Sequence, residues 1–502
     1  MILKSRNLNW LAGRPVVILN SETAKKLNIN VNERLGIKNP RTKKTVYAVV
    51  DIFSRLVKEN YLGLSREVIQ VLNTKDNEKL EVQISELGVA ASLIKKKVSG
   101  EHLTKSELNT LVSEIVHNNL TESEIAYFIA AEKLNGMSLD ETINLTKAMV
   151  KTGNQLKLHS KIIADKHCIG GIAGNRTTPI VVSICAAAGL TMPKTSSRAI
   201  TSAAGTADVI ETISNVDFSA TKLKEIVSKT NACLAWGGSL NLAPSDDKII
   251  RVERILNLDV EPQLLASIMS KKIAAGATHL LIDIPYGKSA KEKTKSEARK
   301  LGNKFKKISK YFNIKIKVAY TDGNMPIGNG IGPVLEMIDV ISVLKNNKNS
   351  PQDLKNKALF LASKILKLCN IKHSKKVARA ILESGEAYKK FKEIINAQNS
   401  KSLDSQDFES RVKKLHPAKL SRTITAKKDS KILGVDNKTI NSLCHILGTP
   451  ETKSAGVYLY QNSSQNQNIK KGDKIITLYT ESKDKLEDAI KFYEEFEPIK
   501  LS

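Results

Sequence analysis

Residues 100–153 carry the hydrophobic and polar pattern of amphipathic helices. Apolar residues recur at helical spacing on one predicted face, at Leu108, Leu111, Val112, Ile115 and Val116. Capping boxes, in which Ser or Thr is followed three residues later by Glu, occur at Thr104–Glu107, Thr121–Glu124 and Ser138–Glu141. Gly136 and Gly153 stand where glycines end helices. The pattern predicts a bundle of short antiparallel helices.

The first 85 residues contain an internal repeat. Residues 19–37 recur as residues 64–82, 45 positions later, with matching Leu, Glu and Asn positions such as Leu27/Leu72 and Asn32/Asn77. Each copy has the pattern of a short helix, a polar turn and a strand, and strand-like runs precede the copies at 15–19 and 45–52. The repeat predicts a small duplicated β-barrel, which we interpret as an assembly or accessory domain.

From residue 160 to about 345, predicted strands alternate with helices. Strand-like runs lie at 161–164, 280–284 and 314–320, and this alternation is typical of a doubly wound α/β sheet with ligands at the carboxyl ends of its strands. The polar stretch 398–417 is predicted to be a linker. The last 80 or so residues predict an α+β domain with strands at 457–460 and 475–479, a turn at 470–473 between them and a final helix.

Composition and charge narrow the class of protein. The 502 residues are 41% hydrophobic and 26% charged, as in a soluble globular protein, and no apolar run is long enough for a membrane span. Five scattered cysteines form no CxxC pair, so they indicate neither a disulfide framework nor a zinc site, and a reducing cytoplasm is expected. The net charge of +28 is a feature that nucleic-acid-binding proteins also have. Lysine is spread along the whole chain, however, and the densest basic segment, 288–317, fits a solvated helix followed by a strand.

A glycine-rich loop at 164–178, ADKHCIGGIAGNRTT, follows apolar strand-like residues and precedes an alanine-rich helix. It matches neither a Walker A motif nor a dinucleotide fingerprint. Glycines allow backbone N–H groups to approach a ligand, a helix N-terminus adds positive potential, and Lys166 adds a full charge. Thr177 and Thr178 supply hydroxyl donors. These features favour an anion site over a plain strand-to-helix turn, which remains the alternative from the residues alone.

A second polar loop at 194–208, KTSSRAITSAAGTAD, strengthens that interpretation. It has six hydroxyls and an arginine in 15 residues, which suit phosphate oxygens and sugar hydroxyls better than a core. A surface turn is the alternative.

These two loops together resemble those of the thymidine phosphorylase and AMP phosphorylase family. The motifs KHCIGG and SSRAITSAAGTADVIE carry the resemblance, with LNLAPSD at 240–246 and ASIMSKK at 266–272 in the same order, and it extends from about residue 90 to 500. The second loop has the SSRAIT form of the AMP phosphorylase branch rather than the SGRG form of the nucleoside-specific branch. The chain length and the duplicated N-terminal domain are also similar to that branch.

The resemblance implies phosphorolysis, in which inorganic phosphate attacks the anomeric carbon of a nucleotide or nucleoside and the base leaves. It implies no cofactor and no metal, with phosphate as a co-substrate. The implied phosphate-binding residues are Lys166, His167, Cys168, Thr178, Ser196 and Thr206. The implied substrate-binding residues are Gly171, Ser197, Arg198, Ala199, Ile200, Thr201, Ser202, Thr206, Ser267, Lys271 and Lys291.

By the same resemblance, Asp259 matches the proton donor of AMP phosphorylases. A carboxylic acid is able to protonate a leaving purine. A helix-capping or solvated aspartate is the alternative from the residues alone. Lys271 matches a base-contacting lysine of thymidine phosphorylases, and an exposed helix lysine is its alternative. Two positions depart from the family: Cys168 replaces a phosphate-contacting serine, and Val252 replaces a base-contacting arginine of the thymidine enzymes. A thiol is a weaker donor than a hydroxyl.

The predicted architecture is a multidomain α/β chain with four parts. They are a duplicated β-barrel at 1–88, a helical domain at 89–155 joined by about 245–275, an α/β glycosyltransferase catalytic domain at 156–400, and an α+β domain at 418–502. The first functional hypothesis is phosphorolysis of AMP and other nucleoside monophosphates in nucleotide salvage. The second is a thymidine phosphorylase, and the third is an inactive scaffold that binds nucleic acid. The expected partners are a small nucleotide or nucleoside, phosphate and further copies of the chain in a homo-oligomer, with neither membrane nor nucleic acid.

Overall fold

A computed structural model of the chain describes residues 1–84, 89–199, 202–256, 258–399, 407–460 and 467–502. Its residues divide into two compact units, one formed by 1–152 with 244–266 and the other by 153–243 with 267–502. In the described ranges, no helix is both long and apolar enough to cross a membrane.

The N-terminal repeat folds into a closed six-stranded barrel, as predicted. Its elements are β1 (Ile2–Asn7), β2 (Val16–Asn20), α1 (Ser21–Leu27), β3 (Arg34–Lys38), β4 (Thr45–Phe53), β5 (Tyr61–Leu64), α2 (Arg66–Leu72) and β6 (Lys79–Ile84). The strand order is β1-β5-β2-β4-β3-β6, closed by antiparallel pairing of β1 with β6. The repeated asparagines explain the matching turns, because Asn28 and Asn73 both end their helices in the left-handed conformation.

The helical segment follows the barrel in the first unit. It begins with α3 (Val89–Val98), α4 (Lys105–Val116), α5 (Glu122–Asn135) and α6 (Leu139–Thr152), and residues 244–266 complete it. All three predicted capping boxes form: the cap hydroxyl accepts from the backbone N–H of the Glu, and the Glu carboxylate accepts from the backbone N–H of the cap residue. The predicted apolar face of α4 is buried except at Val116, which is half-buried.

The second unit contains the predicted parallel α/β region. Its elements before residue 244 are β7 (Ala164–Cys168), α7 (Thr177–Ala187), β8 (Met192–Ser196), α8 (Thr206–Ile210), α9 (Ala220–Thr230) and β9 (Ala232–Trp236). The chain then forms α10 (Pro244–Leu256), which belongs to the first unit, and α11 (Glu261–Ala274), which begins in the first unit and ends in the second. The second unit continues with β10 (His279–Tyr286), α12 (Lys295–Tyr311), β11 (Lys315–Asp322), β12 (Gly330–Ile331), α13 (Pro333–Leu344), α14 (Gln352–Leu368), α15 (Ser374–Glu383) and α16 (Glu386–Asn399). A 3₁₀ turn spans Gly238–Leu240.

The parallel strands form two ladders in this unit. One has the order β11-β10-β7 and the other pairs β8 with β9, and a parallel bridge between Ile163 and Thr191 lies at the start of β7 and β8. The prediction for the first strand, 161–164, is displaced, because β7 runs from Ala164 to Cys168. Hydropathy misses its end, since the strand finishes on buried polar residues that form the site described below.

The C-terminal region is α+β, as predicted. Its elements are α17 (Phe408–Lys413), β13 (Leu420–Thr425), β14 (Ser430–Val435), α18 (Asn437–Leu447), β15 (Gly456–Leu459), β16 (Asn468–Ile469), β17 (Lys474–Thr480), α19 (Lys483–Phe496) and β18 (Ile499–Leu501). The linker prediction for 398–417 is wrong in part, because α17 lies inside it. Phe408 is buried and packs edge-on against Phe391 of α16, which anchors this short helix to the core.

Candidate active site

The strand order of the second unit has a topological switch point between β7 and β10. The chain proceeds from β7 towards β8 and β9 on one side, and from β10 to β11 on the other. Cys168, at the end of β7, is paired in register with Asp283 of β10, so the loops that follow both strands start side by side. Ligands of open α/β sheets bind at this point, outside the carboxyl ends of the strands.

The two loops at the switch point touch through Gly171. A Cβ on Gly171 would lie 3.2 Å from both Cγ and the backbone N of Lys291, and Gly171 has a φ of +88°. Glycine is required here for both reasons, because a side chain would strain the backbone and crowd the neighbouring loop. The structure therefore brings together two of the predicted substrate-binding residues, Gly171 and Lys291.

Lys166 is the central cation of the glycine-rich loop. Its side chain is 1% exposed, and Nζ donates to Oγ1 of Thr177 at 2.8 Å and of Thr178 at 3.2 Å. Burial lowers the pKa of Lys166. Because both threonine oxygens accept from the lysine, their hydroxyl hydrogens remain available to an anion at the start of α7.

His167 and Asp165 flank Lys166 on β7. The buried Asp165 carboxylate pairs with Lys272 at 2.7 Å and lies 3.9 Å from Lys194. Burial, followed by the positive charge of Lys272 and Lys194, holds the pKa of His167 well below its usual range, so the imidazole is neutral at neutral pH. His167 can therefore offer a hydrogen bond but no charge to a bound phosphate.

Cys168 occupies the end of β7 beside Asp283. Burial and the nearby Asp283 carboxylate raise the pKa of the thiol to about 11, so it stays protonated. Asn175 Nδ2 approaches Cys168 Sγ at 3.4 Å. A protonated thiol is a weak donor, as the sequence suggested.

Arg176 links the first loop to the second. Its guanidinium pairs with buried Glu336 at 2.6 Å and donates to Thr206 Oγ1 at 2.7 Å and to the carbonyl of Ala204 at 2.8 Å. Thr206 Oγ1 thus accepts from Arg176 and keeps its own hydroxyl hydrogen for a ligand. Within the described residues, the buried Oγ of Ser196 has no hydrogen-bond partner, which suits a residue that completes its bonding with a ligand.

Two acids of the α8 region, Asp208 and Glu211, hold the second loop through its backbone and through the Arg198 side chain. Asp208 accepts from the backbone N–H groups of Ala199 and Gly205, at 2.7 and 2.9 Å. Arg198 makes two bonds to Glu211, at 2.6 and 2.7 Å, and lies over the Trp236 ring. The hydrogen bonds and charge of Glu211, followed by those of Asp208, raise the pKa of Arg198 and keep its guanidinium bound within the protein.

The other predicted substrate-binding residues have different degrees of burial. Ser202 donates to the carbonyl of Ala204 at 3.0 Å, Ser197 is exposed, and Ser267 is buried. Lys271 is half-buried, and its positive charge contributes to the lowered pKa of His167 after burial and the charges of Lys272 and Lys194. Ile200 and Thr201 lie outside the described residues. The roles of these residues in binding stay predictions.

Asp259 belongs to the first unit and precedes α11. It is exposed, and its backbone carbonyl accepts a hydrogen bond from Lys133 Nζ at 3.1 Å. Its role as proton donor stays a prediction. Val252, where the thymidine enzymes have an arginine, is a buried core residue of the same unit.

Sequence reasoning missed several residues that shape the site. They are Arg176, Glu336, Asp208 and the buried pair Asp165–Lys272. Arg176 had a local signal, since it stands between the glycines and an apolar helix. Glu336 had none, because it is 160 residues away and meets Arg176 only through the fold.

Comparison with known proteins agrees with this architecture. Residues 91–153 match the helical bundle domain of a glycosyl transferase family, and residues 160–388 match the a/b domain of that family. An anthranilate phosphoribosyltransferase from Thermus thermophilus shares the fold, with a TM-score of 0.52 and 17% identity over 61% of this chain and 99% of that one.

Similarity extends over full length in other relatives. The chain is 41% identical to the AMP phosphorylase of Thermococcus kodakarensis, over 100% of this chain and 98% of the relative. It is 36% identical to AMP phosphorylase 1 of Archaeoglobus fulgidus over the same shares. The chain therefore belongs to the thymidine and AMP phosphorylase family, in its AMP phosphorylase branch.

Proposed function

We propose that the protein is an AMP phosphorylase. An oxygen of inorganic phosphate forms a bond to C1′ of the ribose while the bond from C1′ to the base nitrogen breaks. The electron pair of that bond leaves with adenine, which takes up a proton, and the second product is ribose 1,5-bisphosphate. The observation that carries the proposal is the buried Lys166 with its two threonine hydroxyls at the switch point, in a chain of the AMP phosphorylase branch.

In this proposal, the residues around the end of β7 bind the phosphate. Lys166 supplies charge, and Thr178, Ser196 and Thr206 supply hydroxyl donors whose oxygens are fixed or buried. Cys168 and the neutral His167 supply weaker contacts. Donors fixed before the reaction stabilise developing charge without having to reorganise.

The loops beside the phosphate bind the nucleotide. Gly171, the 197–202 loop, Thr206, Ser267 and Lys291 bind its sugar and 5′-phosphate, as the family resemblance implies. Because Arg198 is paired with Glu211 and Asp208, we propose that it shapes this loop and presents backbone groups to the ligand. Lys271 contacts the base, and Asp259 delivers the proton that the leaving adenine needs.

The alternatives have less support. The full-length relatives named above are AMP phosphorylases, which favours AMP over thymidine. An inactive scaffold for nucleic acid has no need for a buried lysine bonded to two threonine hydroxyls. All five cysteines are free thiols in the structure. Location in a reducing cytoplasm and assembly into a homo-oligomer both stay predictions.

Product analysis tests the proposal. Purified protein is incubated with AMP, other nucleoside monophosphates, adenosine or thymidine, each with and without inorganic phosphate. Free base is quantified by chromatography, and the sugar product is identified by mass spectrometry. We expect adenine and ribose 1,5-bisphosphate in equal amounts, only with phosphate present. Base release without phosphate, or from thymidine alone, contradicts the proposal.

A further inference from the structure

One face of helix α18 in the C-terminal region carries two buried asparagines. Asn437 and Asn441 are one helical turn apart, so both side chains project from the same face. Asn437 is fully buried and Asn441 is 5% exposed. Buried amides have to find partners, and both find theirs in the α/β region.

Asn437 joins three of the loops that follow the parallel strands. Its Oδ1 accepts from the N–H of Ala173 in the glycine-rich loop after β7, at 3.0 Å. Its Nδ2 donates to Ser289 Oγ in the loop after β10, at 2.8 Å, and to the carbonyl of Gly323 after β11, at 3.2 Å. A single side chain thereby connects the loops of Lys166 and Lys291.

Asn441 holds the fourth loop. Its Oδ1 accepts from the N–H of Ala203, at 3.0 Å, in the loop after β8. Arg176 holds the same loop from another direction, through the carbonyl of Ala204 and the hydroxyl of Thr206. The segment 203–206 is therefore held at two backbone groups and one side-chain hydroxyl.

Apolar packing supports the same contact. Ala173 and Ala203 are 0% and 1% exposed, and both belong to the hydrophobic core formed by α18, β15 and β17 rather than to the core of the parallel sheet. Gly323 has no room for a side chain, because a Cβ would lie 2.9 Å from Ile172 and 3.0 Å from Ala290. The loops are thus packed against each other and against the C-terminal region.

We infer that Asn437 and Asn441 are positioning residues of the active site, through which the C-terminal region sets the mutual placement of the phosphate and nucleotide loops. This inference rests on the proposed function. It gives the C-terminal region a part in catalysis without any contact with substrate. A displacement of about 1 Å in such a loop costs up to about 100-fold in rate.

Three variants of the full chain test the inference. Asn441→Leu keeps the size of the side chain and removes the acceptor for Ala203. Asn441→Asp keeps the acceptor and strengthens it with charge. Ser442→Leu places the same new side chain on an exposed neighbour in the same helix and serves as the control. For each we measure kcat, KM for phosphate at saturating AMP, and Tm with and without inorganic phosphate.

Asn441→Leu is expected to lower kcat/KM for phosphate about 10- to 100-fold at temperatures where it is fully folded. Its Tm should rise less on addition of phosphate than that of the wild type. Asn441→Asp should recover most of both quantities, and Ser442→Leu should match the wild type. Wild-type kinetics and a wild-type phosphate response in Asn441→Leu overturn the inference.

Failure of the proposed function gives a different result. If the wild type releases no adenine from AMP but phosphate still raises its Tm, the inference is decided by the phosphate response of the variants alone. If phosphate does not stabilise the wild type, the phosphate site itself is absent and the inference is overturned with it. Asn437→Asp adds a further comparison, because it keeps the acceptor for Ala173 and loses both donated bonds.

Discussion

Replacement of Lys166 by methionine separates the chemistry of the site from the stability of the fold. The substitution keeps the length and apolar stem of the side chain and removes one buried amine. Loss of a preorganised electrostatic contact typically costs about 2.7–4 kcal/mol in the transition state, which corresponds to roughly 10²- to 10³-fold in rate. We expect a loss of that size in kcat/KM for phosphate.

The Tm of Lys166→Met, by contrast, should be equal to or higher than that of the wild type. Burial lowers the pKa of Lys166, because the folded protein disfavours the charged form of this side chain. Methionine removes the free-energy cost of burying that charge. The two threonine oxygens lose the lysine as a hydrogen-bond donor, which offsets part of that gain. Because the folded-state pKa is depressed, the penalty is full below it and disappears as pH rises towards the unfolded value. Any gain in Tm over the wild type should therefore narrow at alkaline pH.

The assay combines initial rates over a series of phosphate concentrations with melting curves at several pH values. Lys161→Met is the control, since Lys161 is an exposed lysine just before β7. Near-normal turnover in Lys166→Met refutes the assignment of phosphate to this loop. An equal loss in Lys161→Met indicates a general effect of surface charge.

Three further predictions concern other parts of the chain. Asp259→Asn should still bind AMP but lose about 10²- to 10⁴-fold in turnover, because an amide cannot deliver a proton; Asp217→Asn, at an exposed site, is the control, and unchanged adenine release excludes the donor role. Cys168→Ser should keep kcat and lower KM for phosphate, since a hydroxyl is a better donor than a thiol with a pKa of about 11; a large loss of activity reveals another role for the thiol. Glu132→Gln should raise Tm at neutral pH. Burial and the neighbouring Glu253 raise the pKa of Glu132 well above its usual value, so wild-type stability falls as pH rises above about 4.5. A Tm difference that does not shrink towards that pH contradicts this prediction.

Local sequence signals account for much of the fold. Capping boxes, the repeated asparagines and period-3.6 stripes predicted the helical bundle and the barrel, because these features act within a few residues of the chain. The end of β7 was missed for a physical reason. Strand prediction from hydropathy assumes that buried strands are apolar, whereas β7 continues through the buried Asp165 and Lys166, whose burial is compensated by tertiary contacts.

Motifs identified the loops of the site but not what holds them in place. The contacts of Arg176 with Glu336, and of Asn441 with Ala203, span 160 and 238 residues of sequence. No local pattern marks such partners, since any buried polar residue with the right neighbour would serve. The supporting residues therefore became visible only in the structure, while the loops themselves were visible as runs of glycine and hydroxyl side chains.

The distribution of buried charge explains why phosphate belongs next to Lys166. Arg176 pairs with Glu336, and Lys272 pairs with Asp165. Lys166 differs, because the hydrogen bonds of its ammonium go to two neutral hydroxyls and no carboxylate lies within 4 Å of it in the described part of the chain. A buried cation without a counter-ion is unfavourable until an anion arrives. Phosphate should therefore raise the pKa of Lys166 and stabilise the folded protein as well as react in it. For that reason inorganic phosphate alone, without any nucleotide, is an adequate probe of the site.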